Sequence, residues 1–119
     1  MDKKTTIEEL KNKVKKFCED RDWDQFHNPK ELAIGISTEA NELLELFRFK
    51  SEDDMKRIMN SDKKTEVEEE LADVLYFALR FAQMNNIDLS QAIGSKLDKN
   101  NKKYPIEKSK GSNKKYNEY

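Results

Sequence analysis

The 119-residue sequence holds one cysteine, three glycines and two prolines, and each scarcity excludes something. With Cys18 alone, no intramolecular disulfide can form, which fits a reducing compartment. The few glycines and prolines, and the lack of any Asn-Gly or Asp-Gly pair, leave little turn chemistry for a sheet, so helices are expected. No stretch approaches the roughly 20 apolar residues of a membrane span. The N-terminus is polar through Asp2, Lys3 and Lys4, with no apolar run behind it, so no signal peptide is expected. These absences predict a soluble, cytoplasmic, all-α protein.

What the sequence has is charge. Charged side chains make up 39% of it and hydrophobic ones 35%, a thin core for a lone domain of this size. The apolar residues cluster in periodic stretches, so the expectation is an ordered helical protein that completes its core by oligomerising. The net charge of −1 hides a division: residues 96–119 hold eight lysines against Asp98, Glu107 and Glu118, while residues 1–95 are acidic. Such a division suits a nucleic-acid-binding tail, and equally a metal held by the acidic body with lysines on a phosphate chain.

The first helix is predicted to begin near Thr5 or Thr6, where Thr6 and Glu9 have capping-box spacing, and to bury Ile7, Leu10, Val14 and Phe17. Residues 21–29 (RDWDQFHNP) break the rhythm and read as a loop packed through Trp23 and Phe26. A second helix is predicted from Pro29 or Lys30 to Phe49, with Leu32, Ile36, Leu43 and Phe47 inside. A short one follows at Asp53–Met59. A third long helix, capped by Thr65, is predicted to reach Asn85 and bury Val67, Leu71, Val74, Leu75, Ala78 and Phe81. Asp88 to Asn100 forms a last short helix, with Ser90 as a plausible cap. Beyond Tyr104-Pro105 the chain is expected to be extended or mobile. The organisation is then a helical domain over 1–105 and a basic flexible tail over 106–119.

Two acidic pairs carry the chemistry. Glu39 and Glu42 lie in the second helix, Glu70 and Asp73 in the third. Residues three apart share a helix face, so each pair aims two carboxylates one way. Both pairs sit among apolar neighbours, at the edge of faces that should pack. Gathering four like charges there is costly unless a cation compensates, and an all-oxygen donor set without histidine selects Mg²⁺ or Mn²⁺ over Zn²⁺ or iron. Glu-x-x-Glu is also common on solvated faces, and Glu66, Glu68 and Glu69 make this stretch acidic throughout. On pattern alone, a helical interaction module with a basic arm and a nucleic-acid binder using residues 96–115 stay open beside the metal site. Neither rival needs four facing carboxylates.

The pair of pairs, with 27 residues between Glu42 and Glu70, resembles the all-α nucleoside triphosphate pyrophosphohydrolase superfamily that includes the MazG-like proteins. Further segments resemble its small dCTP pyrophosphatase branch: Arg21–Pro29, Glu42–Lys50 (ELLELFRFK), Glu68–Leu75 (EEELADVL), and Lys96–Asn100 (KLDKN) with Lys103-Tyr104-Pro105. The likeness runs from about Ile7 to Tyr116. It implies a four-helix-bundle-like fold completed as a dimer or a tetramer of two dimers. It implies Mg²⁺-dependent hydrolysis of a deoxynucleoside triphosphate, dCTP or a modified dCTP above all, to the monophosphate and pyrophosphate. Glu39, Glu42, Glu70 and Asp73 are then the metal ligands. Lys96, Asp98, Asn100, Lys103 and Tyr104 belong to the nucleotide site, and Trp23 and Phe49 are aromatic walls near the base. Two positions depart from the close vertebrate-type members. Phe49 often stands where they have Trp, and Phe77, also a candidate substrate contact, where they have Tyr.

The mechanism expected is attack by a water on a phosphorus held in line, with Glu42 or Glu69 as general base. Trp23 suits a base wall and a core cap alike, whereas Phe26 reads as a core cap. His27, a lone histidine before Asn28-Pro29, reads as structural, and Cys18 as a small buried hydrophobe. Arg48, Lys50 and Arg80 suit phosphate contacts and solvated positions equally. The lysines from 108 to 115 read as a solvated arm or a strap over a neighbouring subunit's site. Neither a membrane nor a nucleic-acid partner is expected.

Overall fold

The structure is a computed structural model and describes residues 1–118. It contains six α-helices: α1 Ile7–Glu19, α2 Pro29–Glu45, α3 Glu52–Met59, α4 Lys64–Met84, α5 Leu89–Lys103 and α6 Ile106–Ser109. Single 3₁₀ turns occupy Asp24–Phe26 and Tyr116–Glu118, and no strand occurs among the described residues. The chain forms two compact units, Met1–Asn86 and Ile87–Tyr119. The all-α class expected from the scarce turn chemistry holds.

Local chemistry sets most helix starts. The Thr6 hydroxyl accepts from the Glu9 N–H at 3.1 Å, and the Asn28 side chain from the Glu31 N–H at 2.8 Å, with Pro29 harmless in the first turn. Ser51 and Asp54 form a reciprocal capping box on α3. Two expected caps are corrected. Thr65 does not cap α4, which runs out of the preceding turn with Lys63 already helical and no side-chain cap. In the second unit Asp88, rather than Ser90, caps α5, accepting from the Gln91 N–H at 2.9 Å. An aspartate one residue before the helix simply outcompetes a serine inside it.

Helix ends differ from expectation in the same local way. After Glu45, α2 tightens into three-residue turns, with Phe47 N–H to Leu44 C=O at 2.9 Å and Lys50 N–H to Phe47 C=O at 3.1 Å. Phe49 then adopts a left-handed φ of 63°, so the helix does not reach it. A bulky side chain there is strained by roughly 1–2 kcal/mol. The stretch after Pro105 is not simply extended: it forms α6 and the 3₁₀ turn of Tyr116–Glu118.

In the first unit α2 packs mainly on α4, with α1 also on α4 and α3 touching it. Among the described residues the buried apolar side chains are few: Cys18, Leu32, Val67, Leu79 and Ala82. The expected inner faces are rotated. On α1 the buried positions are Lys11 and Cys18, and Phe17 is partly exposed. On α4 Leu71 and Leu75 stand outside, Leu71 being 56% exposed, while Leu79, Arg80 and Ala82 are inside. Phe26 is exposed instead of capping the core. Periodicity located an apolar stripe but could not separate the part that meets a neighbouring helix from the part that does not.

Candidate metal and nucleotide site

Gly35, Glu39 and Glu42 recur at four- and three-residue steps on α2, as Glu70, Asp73 and Phe77 do on α4, so each trio lines one face. The two faces meet. Phe77 lies against Gly35 so closely that a Cβ at residue 35 would stand 2.5 Å from two carbons of its ring. One turn further along α2, a carboxylate oxygen of Glu39 lies within 4.8 Å of one from Glu70 and one from Asp73. Rising numbers on α2 meet falling numbers on α4, so the helices are antiparallel. The missing side chain at 35 is what lets an aromatic ring fit beneath the carboxylates at this helix separation.

The electrostatics are those of an uncompensated acidic cluster. Glu70 is pushed above the ordinary carboxylate range, first by desolvation and then by Asp73, Glu39, Glu42 and Glu69. Among the described residues no lysine or arginine pairs with Glu39, Glu70 or Asp73. Three hard oxygen donors on two rigid helices, at a partly exposed position, suit a divalent cation that keeps waters and takes phosphate oxygens as further ligands. Glu42 lies outside this three-residue set; it is solvent-exposed and acts on Glu70 through its charge. Glu69 is exposed beside Glu70.

The aromatic candidates separate. Trp23 packs edge-on against Phe17 and His27, with ring centroids 5.7 and 6.4 Å apart. Phe49 is 90% exposed, with the Arg48 guanidinium 4.7 Å from its ring centre. Phe77 is half-buried, its ring 5.0 Å from that of Tyr76.

The remaining nucleotide-site candidates belong to the second unit. Lys96, Asn100 and Lys103 recur at four- and three-residue steps along one face of α5. Asp98, two residues beyond Lys96, lies on the other side of the helix. Tyr104 ends α5, its N–H bonded to the Asn100 carbonyl at 2.8 Å, and its ring meets that of Tyr116 at 6.2 Å. Lys103 lies over the Tyr116 ring at 5.0 Å. A cleft of about 400 Å³ is lined by Lys102, Lys103, Pro105, Lys108 and Tyr116.

Sequence reasoning missed two features. Gly35 carried no motif; only its position four residues before Glu39 hinted at a role. Arg80 was left equally suited to phosphate and to solvent, but it is buried and bonded to His27, Asp24 and Gln83. Cys18 is buried as expected, its sulfur 3.1 Å from the Tyr76 hydroxyl.

Fold and site thus define an all-α protein whose two central helices present a carboxylate cluster suited to a hard divalent cation. Residues 34–119 match the model of the MazG-like family, and the chain belongs to that family. It is 37% identical over 112 residues to dCTP pyrophosphatase 1 of Mus musculus, covering 93% of this chain and 66% of the relative. To dCTP pyrophosphatase 1 of Homo sapiens it is 33% identical over 114 residues, covering 95% and 67%. The chain therefore spans about two thirds of the length of these relatives. A crystal structure of a pyrophosphatase from Archaeoglobus fulgidus superposes with a TM-score of 0.77 at 40% identity, covering 82% of this chain and 91% of that one. No helix among the described residues is long and apolar enough to cross a membrane.

Proposed function

We propose that this protein is a Mg²⁺-dependent nucleoside triphosphate pyrophosphohydrolase that removes dCTP or a modified dCTP from the nucleotide pool. The observation that carries the reading is the convergence of Glu39, Glu70 and Asp73, with no lysine or arginine among the described residues paired to them. The names of the relatives supply the substrate class.

Glu39, Glu70 and Asp73 hold the cation, and Glu42, on the same face of α2, is the fourth ligand or the base. Mg²⁺, or Mn²⁺ in its place, supplies charge neutralisation on the phosphate oxygens and a more acidic water. Hydrolysis to the monophosphate breaks the α–β phosphoanhydride, and the proton leaving the attacking water passes to a carboxylate, Glu42 or Glu69. On α5, Lys103 and Tyr104 contact phosphate, and Lys96 and Asp98 belong to the same nucleotide site. Asn100, with both an amide donor and a carbonyl acceptor, pairs with the pyrimidine edge. Trp23, Phe49 and Phe77 supply stacking surface, which tolerates any base, so discrimination comes from the polar contacts and pocket size.

The functional domain is residues 1–105, with 106–119 as a basic tail, and the compartment is the cytoplasm. A second copy covers the half-exposed Ile34, Leu44, Leu71 and Leu75 of α2 and α4, giving a dimer or a tetramer. The small buried core of a single chain supports this.

A panel of ribo- and deoxynucleoside triphosphates with Mg²⁺, scored separately for pyrophosphate and orthophosphate, tests the reading. Equimolar pyrophosphate and monophosphate are expected, fastest from dCTP, with Asn100→Ala lowering kcat/KM more for dCTP than for the others. Orthophosphate release, or hydrolysis indifferent to chelation, contradicts it. Equal losses across the panel in Asn100→Ala remove Asn100 from base recognition.

A further inference from the structure

Arg80 is 1% exposed and is the largest side chain buried to that degree among the described residues. It projects from α4 and its guanidinium is fully engaged. Nε donates to His27 Nδ1 at 3.0 Å, one terminal nitrogen to the side-chain Oε1 of Gln83 at 2.7 Å, and the other to the Asp24 carboxylate. Of these three partners, Asp24 begins the 3₁₀ turn between α1 and α2 and His27 directly follows it. The backbone of this segment is tied to α1 by the Trp23 N–H, which donates to the Cys18 carbonyl at 3.0 Å; Arg80 is its side-chain tether to α4. A charge is buried at such a cost only where its partners are held in return.

The tether ends at Trp23, the single tryptophan of the chain. Trp23 directly precedes Asp24, and its ring meets the edge of the His27 ring. Its other neighbour, Phe17, packs on Tyr76 at 5.9 Å, and Tyr76 on Phe77. Phe77 in turn fills the notch at Gly35, one helical turn from Asp73. Helix α4 therefore grips Trp23 twice, through Arg80 and through Tyr76, and the aromatic run ends beside the carboxylate cluster.

The contact between Arg80 and His27 requires a neutral ring. Nδ1 accepts a hydrogen bond, so the ring proton is on Nε2. A protonated His27 would turn a donor toward the guanidinium. The charged groups acting on His27 are Arg80 from α4 and Asp24 from its own segment. Arg21, at the end of α1, instead lies over Phe17 at 3.8 Å. The nearby titratable Cys18 and Tyr76 bond to each other. Burial first, and then Arg80, hold His27 below its usual 6.5 against the opposing pull of Asp24.

We propose that Arg80 is a positioning residue: through Asp24 and neutral His27 it fixes Trp23 in one placement, and protonation of His27 releases it. The nucleotide consequence rests on the reading above, in which Trp23 walls the base site. The placement of Trp23 itself does not.

Tryptophan emission and acrylamide quenching, read without nucleotide between about pH 5 and 8, test the placement. Arg80→Met and Asp24→Ala should both red-shift the emission and increase quenching at neutral pH. Asp24 is 52% exposed, so its variant disturbs packing less than the arginine variant does. Wild type should show the same shift on acidification. His27→Asn, whose amide oxygen can accept from Arg80 at any pH, should keep the neutral-pH signal and lose the acid transition. With dCTP, Asp24→Ala should raise KM roughly three- to ten-fold with kcat nearly unchanged. Wild-type emission in Asp24→Ala, or an acid transition that survives in His27→Asn, overturns the proposal. An emission change with KM unchanged overturns its nucleotide half. A wild type that hydrolyses no nucleotide sinks the pyrophosphohydrolase reading, and the emission experiment still decides the role of Arg80.

Discussion

Helix α4 carries charge at two places and treats it in opposite ways. Toward its N-terminal half, Glu70 and Asp73 crowd with Glu39 of α2, and among the described residues no lysine or arginine pairs with them. Toward its C-terminal half, Arg80 is buried and each of its guanidinium nitrogens bonds to one of His27, Gln83 and Asp24. A buried charge with a full set of partners has found its function in the fold. A like-charged cluster without them costs the fold something, and points outward to a cation the chain itself does not provide. On the proposed reading, the same helix serves as a wall of the cation site and as the anchor of the segment that carries Trp23.

The contrast can be broken most forcefully at the carboxylates. Glu70→Gln and Glu39→Gln, measured by Mg²⁺-dependent pyrophosphate release, should each lose on the order of 100-fold or more in kcat. Circular dichroism should remain helical and the metal-free protein should melt no lower than wild type, since one repelling charge is gone. Turnover close to wild type in both variants would put the chemistry elsewhere.

A smaller effect is expected where the helices approach. Gly35→Ala places a methyl 2.5 Å from the Phe77 ring, and overpacking of this kind costs about 1–3 kcal/mol. Denaturant unfolding should show that loss, and the double variant with Phe77→Leu should recover much of it. Full stability in Gly35→Ala would mean that the ring moves freely and that the notch sets nothing.

The smallest effect distinguishes the two places on α4 by sign. Glu70 has a folded pKa raised above its ordinary 4.5, so its contribution is present in acid and is lost as pH rises from 4.5 through the raised value. His27 has a folded pKa lowered from 6.5. Its contribution is therefore full above 6.5 and is lost as pH falls from there toward the lowered value. In metal-free protein, Glu70→Gln should remove the first slope and His27→Asn the second, as read by unfolding midpoints across pH. A single slope affected equally by both variants would contradict the separation.

Much of this was legible in the residues, and the limits have physical causes. Capping chemistry is local, so Thr6 was readable as a helix start, and so was Pro29 at the start of α2. Carboxylates three apart on a helix are legible for the same reason, which is why Glu39, Glu70 and Asp73 were found and brought together. Long-range geometry was not. How closely each of two acidic residues one turn apart approaches the partner helix is not written in their spacing, and Glu42 acts on Glu70 by its charge while lying outside the set of three. Leu71 and Leu75 read as core because the apolar stripe on α4 is wider than the face α2 covers. Arg80 was opaque because two of its three partners, His27 and Asp24, lie more than fifty residues away in a segment with no periodicity.

The central claim is that the carboxylates of α2 and α4 are a cation site. Mn²⁺ binding measured by loss of the free-ion electron paramagnetic resonance signal, without nucleotide, tests it most directly. Wild type should bind Mn²⁺ and Mg²⁺ should compete it off. Glu39→Gln, Glu70→Gln and Asp73→Asn should each bind far more weakly with helical content intact, while Asp24→Asn binds as wild type does. Variants that bind Mn²⁺ like the wild type would contradict the account.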